Sequence, residues 1–238
     1  MAQDATTRTR TETDSLGSLE IPADAYWGIH TARALENFPI SQRPISVYKD
    51  LVVALAMVKQ ASARANAEIG VLDAERAGLI DRAAQRVIEG EFHDQFVVGV
   101  IQGGAGTSTN MNANEVITNI ALEMAGREKG DYAFLSPIDH TNRSQSTNDV
   151  YPTAVKIGLS LDLQSLLEEL DLLRKSFLAK ANEFHDVLKI GRTQLQDAVP
   201  MTLGQEFHGF ATTLGYDHQR LTENAYLLYE INMGATAI

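Results

Sequence analysis

Beyond Pro152, the residues Leu159, Leu163, Leu166, Leu167, Leu170, Leu173, Phe177, Ala181, Phe184 and Leu188 keep a three-or-four spacing with no interior proline. That period predicts one uninterrupted helix; about 36 residues at a rise of 1.5 Å make a rod of roughly 54 Å, longer than a small domain is wide. A second run, from about Thr202 to Asn232, carries Leu203, Phe207, Phe210, Leu214, Leu221, Leu228 and Ile231 on one side. Two rods joined by the loop GRTQLQDAVP can bury one stripe against each other, but Tyr226, Leu227 and Tyr229 fall on other faces. The rods therefore call for further helical neighbours, as in a bundle, and some of these are expected outside this chain.

Upstream the pattern is more varied. Met1 to about Arg10 are polar and carry no apolar period, which reads as a mobile tail. TETDSLGSLEIP, with a turn signal at Gly17 and a stop at Pro22, predicts a small hairpin, the only sheet element the sequence offers. Leu51, Val52, Leu55 and Val58 recur at helical spacing between Tyr48 and Asn66, Asp73 to Ile88 continue the pattern, and Val116, Ile120 and Met124 mark a helix ending at Gly126. The expected fold is mainly α: a tail (1–10), a small N-terminal domain with a short β-hairpin (11–145), and the first long helices of a helical bundle (146–238), with the remainder absent.

The formal net charge of −11 argues against a sequence-independent hold on nucleic acid or on an anionic membrane surface. An anionic small molecule would have to be held by local donors. With no cysteine in the chain, disulfides, thiolate nucleophiles and Cys-based zinc sites are excluded, and a reducing cytoplasm is the default. No signal peptide or membrane span is legible, so a soluble, cytoplasmic protein is expected. His30, His93, His185, His208 and His218 show no zinc-ligand spacing with acidic partners, so no metal site is expected.

Three polar segments place hydroxyl and amide side chains where helices begin or meet. GGAGTSTNMNANE, from Gly103 to Glu115, can receive an anion at a helix start, yet Asn112 and Glu115 also have the spacing of a capping box. No lysine follows the glycines as a nucleotide-binding loop requires. SQSTNDVYP, from Ser144 to Pro152, offers four N-cap residues in succession, which one cap does not explain. GRTQLQDAVPMTLGQE, from Gly191 to Glu206, has a bland reading: Gly191 as a helix C-cap, Pro200 and Thr202 starting the next helix, and Arg192 and Asp197 solvated.

Read together, GAGTSTNMNANEV, QSTNDVYPT and GRTQLQDAVPMTLGQEF resemble the first two signature regions of the fumarase and aspartase superfamily, and IPADAYWGIHTARALENF resembles its N-terminal segment. The resemblance runs from about Glu12 to Ile238. GIHTARALENF and GAGTS favour the aspartase branch, as does Gln194, which stands where fumarases typically carry a histidine. The resemblance implies reversible elimination of ammonia from L-aspartate to give fumarate, without metal or organic cofactor. It places the substrate among Thr107, Ser146, Thr147, Asn148, Thr193 and Gln194, and a secondary anion site at Asp139, His140 and Asn142. It also implies a homotetramer whose active sites are shared between subunits.

The superfamily's third signature, a Gly-Ser-Ser loop followed by a Met-Pro-x-Lys-x-Asn run, supplies the serine base and does not occur in these residues. By that resemblance no catalytic base is expected in this chain, and the chain alone is expected to be inactive. The alternatives are a class II fumarase acting on fumarate and malate, and a non-catalytic helical oligomerisation fragment.

Overall fold

The computed structural model describes residues 8–236. Two compact units divide the chain: one runs to Gly158 and takes in the segment from Ile231, and the other is Leu159–Glu230.

In the first unit, strands β1 (Thr9–Asp14) and β2 (Gly17–Pro22) form the antiparallel hairpin that the sequence predicts; the turn is Ser15-Leu16, and Gly17, at φ +119°, opens the second strand. Residues 1–7 of the expected tail lie outside the described residues, but its last positions do not belong to a tail. Arg10 in β1 donates to Glu12 Oε1 at 2.8 Å and to the carbonyls of Pro22, Ala25 and Trp27, so its guanidinium stitches the hairpin to the segment that follows.

Helices α1 (Ile29–Asn37), α2 (Lys49–Glu68), α3 (Ala74–Ile88) and α4 (Thr107–Met124) complete the layer around the core. Asp73 caps α3 by accepting from the Arg76 amide at 2.9 Å. The core forms where Val52, Leu55 and Ala56 of α2 meet Ile80, Ala83 and Ala84 of α3 and Val116, Ile117 and Ile120 of α4. Burying each large aliphatic side chain there is worth about 1.5–3 kcal/mol. From Thr109 to Leu122 every residue of α4 except the half-buried Met111 is buried, whereas Met124, expected on its apolar stripe, is exposed. Its polar residues are therefore interior groups, and Asn112 and Glu115 sit in mid-helix rather than forming a capping box.

Helix α5 (Thr147–Glu183) begins ahead of Pro152, not after it. Proline lacks an N–H, so the Asn148 carbonyl has no helical donor four residues on. The helix stops short of the end of the sequence period. Phe184 lies just beyond it, and Leu188 opens strand β3 (Leu188–Thr193), which pairs antiparallel with β4 (Gln196–Thr202). This second hairpin is absent from the sequence reading: Gly191 and Pro200 are strand residues, not a helix C-cap and a helix start.

Thr202 opens α6 (Leu203–Ala225) with a capping box to Gln205, and a short turn of tighter helix, Tyr226–Leu228, replaces the expected continuation of the rod to Asn232. Within this second unit Phe177 and Phe184 pack against Phe207, whose ring centroid is 5.7 Å from Phe177 and 5.5 Å from Phe184. Leu166, Leu172, Phe210, Tyr216 and Leu227 remain exposed. Among the described residues no helix is long and apolar enough to cross a membrane.

Candidate active site

The glycine-rich segment before α4 turns at Gly104 and Gly106, with φ of +76° and +86°. Gly106 is the N-cap of α4 and lies face-on against the Tyr151 ring of α5, leaving no room for a side chain. The left-handed backbone and the aromatic wall each demand glycine. Gln102 clasps the first turn by donating to the Thr109 hydroxyl and accepting from the Thr109 amide. Thr107 itself is exposed, and it borders a cleft shared with His30, Arg33 and Ser108. A second cleft of about 400 Å³ is lined by Gly104, Gly106, Asn148, Tyr151 and Pro152.

At the opening of α5 the polar residues divide between capping and display. Ser146 Oγ accepts from the Asn148 amide, and the Ser146 amide donates to Asp149, each at 3.2 Å, so Ser146 is the cap. Thr147 Oγ1 accepts from the Asn110 side-chain amide at 3.2 Å. Asn148 is exposed at the cleft. Thr107, Ser146, Thr147 and Asn148 all lie in the first unit, whereas Thr193 and Gln194 belong to the second.

Gln194 and Leu195 form the two-residue turn of the second hairpin, with φ of +52° and +65°. Two side-chain-bearing residues in the left-handed region are costly where Asn-Gly would be easy. Leu195 is 96% exposed, and Thr193 and Gln194 are also exposed. Arg192 and Asp197, expected to be solvated, are exposed and 3.8 Å apart across the hairpin.

The secondary anion residues are occupied differently. Asn142 Oδ1 accepts from Lys59 at 2.9 Å, Asn110 at 3.0 Å and Asn114 at 3.2 Å, and its amide donates to the Gln145 carbonyl. That leaves little of the side chain for an anion. Asp139 accepts from the Ser136 hydroxyl, and His140 Nδ1 accepts from the Ser136 amide. Burial, and next the nearby Arg76, push the His140 imidazolium below the usual histidine value, so its ring is a poor electrostatic partner for an anion.

Two interior constellations escaped the sequence reading. Lys59 of α2 is wholly buried and donates to Asn110 Oδ1 at 2.6 Å and to Asn142 Oδ1 and Gln145 Oε1 at 2.9 Å. Burial pushes its ammonium well below the ordinary lysine value. Opposing this, three acceptors match the three N–H bonds of the charged form. Through Asn110 the lysine also steadies Thr147.

Glu115, likewise wholly buried, accepts from the Gly28, His30 and Thr31 amides, from the Thr31 hydroxyl at 2.6 Å, and pairs with His30 Nδ1 at 2.9 Å. It thus satisfies the free amides at the start of α1. Hydrogen bonding to Glu115 holds the His30 imidazolium above its usual value, against the desolvation that lowers it. Glu12 takes the Ile29 amide on the other side of Gly28, where a side chain would strike both carboxylates. Burial raises the Glu12 carboxyl, with Arg10 acting in the opposite direction. Nothing in the sequence named Glu115 as this acceptor, because its amide partners lie 84 to 87 residues away.

Long helices opened by cap-rich polar segments, with hydroxyl and amide groups displayed at a cleft, define a mainly helical protein of the long-rod type. The profile described as Lyase matches residues 17–238, and the chain belongs to that lyase family. It is similar to the aspartate ammonia-lyase of Pseudomonas aeruginosa, 61% identical over 230 residues that make up 96% of this chain and 48% of the relative. With the aspartate ammonia-lyase of Bacillus sp it shares 51% identity over 232 residues, 98% of this chain and 49% of the relative. The chain spans about half the length of the curated relatives it matches.

Among solved structures, fumarate lyase:delta crystallin from Brucella melitensis in native form superposes with a TM-score of 0.93 at 54% identity, covering 96% of this chain and 53% of that one. The recombinant class II fumarase from Schistosoma mansoni gives 0.85 at 34% identity, covering 97% and 48%.

Proposed function

We propose that this chain is part of an enzyme that eliminates ammonia from L-aspartate to give fumarate, reversibly. The observation that carries the reading is the 61% identity to an aspartate ammonia-lyase across 96% of the chain. Its chemical support is the display of Thr107 and Asn148, whose side chains are exposed at the clefts rather than buried in the fold.

A base removes the C3 proton of aspartate, and the adjacent carboxylate takes up a second negative charge. Collapse of that aci-carboxylate breaks the C2–N bond, and ammonia leaves. Thr107, Ser146, Thr147, Asn148 and Thr193 act as neutral donors to the developing charge, each worth about 3 kcal/mol by analogy with an oxyanion-hole donor. Gln194 orients the substrate at its ammonium end. A neutral amide has no proton-accepting pKa with which to activate water, which disfavours hydration of fumarate to malate. The base is a serine outside these residues, and the whole enzyme is a cytoplasmic homotetramer with shared sites. The exposed apolar surface of the second unit supports that assembly.

The test follows fumarate by its ultraviolet absorbance in the chain carried to the length of its relatives. Aspartate-dependent fumarate release is expected, and malate formation at a comparable rate would instead favour the fumarase reading. Asn148→Ala is expected to lower kcat/KM by about a hundredfold with little change in Tm. A stability loss of about 1 kcal/mol with near-normal turnover would make Asn148 a capping-segment residue only.

A further inference from the structure

Asp149 stands in the first turn of α5, directly after the displayed Asn148, yet it is 1% exposed. A carboxylate three residues past the cap is favoured by the helix dipole, and one oxygen suffices for the cap itself. That oxygen, Oδ2, accepts from the Ser146 amide at 3.2 Å. The other, Oδ1, is given to a segment 87 residues away: it accepts from the Thr236 amide at 3.2 Å and from the Thr236 hydroxyl at 2.7 Å.

One helical turn further on, the buried Thr153 Oγ1 accepts from the Asn232 amide at 3.1 Å. Asp149 and Thr153 are four residues apart and share a face of α5, so they grip both ends of the same short segment. That segment is a turn closed by the Ala235 amide on the Asn232 carbonyl at 3.0 Å, with Gly234 at φ +80°. Met233, inside it, packs against the core of the first unit. Here the chain re-enters the unit it left at Gly158. A carboxylate this deeply buried costs stability unless its acceptors are used, and both oxygens are.

We propose that Asp149 is a positioning residue that docks the Asn232–Thr236 turn against the opening of α5 and, through the Ser146 amide, holds Ser146, Thr147 and Asn148 in their substrate-facing arrangement. The docked turn stiffens the segment from behind. When the turn is loose, binding must first re-dock it, which lowers the competent fraction and raises the apparent dissociation constant while leaving the bound complex intact. The kinetic half of this inference rests on the aspartate reading; the docking half does not.

Two measurements separate them. Amide hydrogen exchange on this chain is read at residues 232–236 in the wild type, Asp149→Asn, Thr236→Val and Thr236→Ser. Aspartate kinetics are read in the same variants of the chain carried to the length of its relatives. Thr236→Val leaves the Ser146–Asp149 cap intact, so it isolates the docked turn. Exchange at 232–236 is expected to rise at least tenfold in Asp149→Asn and Thr236→Val. KM for L-aspartate is expected to rise about fivefold in Thr236→Val with kcat within twofold, and Thr236→Ser should restore both.

Unchanged exchange in both disrupting variants overturns the docking, and a lowered Tm with unchanged KM overturns the positioning role. A wild type that releases no fumarate, together with exchange that rises as expected, removes the substrate reading and leaves the docking standing.

Discussion

Replacing the buried Lys59 by methionine tests whether its ammonium organises the interior behind the opening of α5. Methionine has similar volume, so the change is mainly the loss of donors rather than a cavity. Asn142 Oδ1 keeps its bonds from Asn110 and Asn114, but Asn110 Oδ1 and Gln145 Oε1 lose the donor they had. Two orphaned buried acceptors cost about 1–3 kcal/mol each, or about 2–6 kcal/mol together.

Removing a desolvated ammonium returns part of this, so the expected net loss is about 2–3 kcal/mol, or a fall in Tm of about 5–10 °C for a chain of this size. Urea unfolding followed by the fluorescence of Trp27, the single tryptophan, reads it in the first unit. The pH dependence adds a sign. The folded-state pKa of Lys59 lies below the ordinary 10.5, so between the two values the unfolded chain binds more protons and the wild type gains stability as pH rises. The methionine variant lacks that gain, so the deficit widens toward alkaline pH. A variant within about 0.5 kcal/mol of the wild type, or one more stable than it, refutes the organising role.

Gly106→Ala forces a side chain into the Tyr151 ring from a left-handed backbone, and a loss of at least about 2 kcal/mol is expected in the same urea assay. Gly106→Ala with Tyr151→Ala should recover only part of it, because the left-handed strain remains. His30 contributes stability through Glu115 that is fully present below its unfolded value of 6.5 and is lost as pH rises through its higher folded value. The urea midpoint of the wild type should fall across that window relative to His30→Gln, and parallel curves would reject the pairing. Leu195→Gly removes left-handed strain at the exposed hairpin turn and should stabilise the second unit by about 0.5–1 kcal/mol, measured by thermal circular dichroism.

Helices α2, α3 and α6 were legible because each carries an apolar period along one face, and α3 also announces its start with Asp73. The period misled at the end of α5. Phe184 and Leu188 continue the spacing, yet the chain turns into a strand there, since spacing alone does not distinguish a helix from the apolar residues of a hairpin that follows it. That hairpin lacked the usual signal because its turn is Gln194-Leu195 rather than Asn-Gly. Pro152 read as a boundary and lies inside the helix, at the cost of the Asn148 carbonyl's helical donor.

The polar segments were visible as clusters of cap residues. What each hydroxyl or amide does was not, because Ser146 caps and Asn148 is displayed for reasons of backbone geometry. The roles of Lys59 and Glu115 depend on partners far along the chain, and no local pattern distinguishes them from surface charges.

The separation between Glu115 and its partners also has a consequence in time. The amides of Gly28, His30 and Thr31 leave the ribosome 84 to 87 residues before the carboxylate that accepts them. At the usual pace of synthesis, about 5–20 residues per second, that is an interval of roughly 4–17 s. Through it, the amides of Gly28, His30 and Thr31 lack that acceptor, and the start of α1 is held to the β1–β2 hairpin only by Glu12, through the Ile29 amide, and by the contacts of Arg10. A nascent chain arrested before α4 should therefore be cleaved readily by protease around Trp27, and one arrested well beyond α4 should resist, so the N-terminal segment is secured late although it is made first.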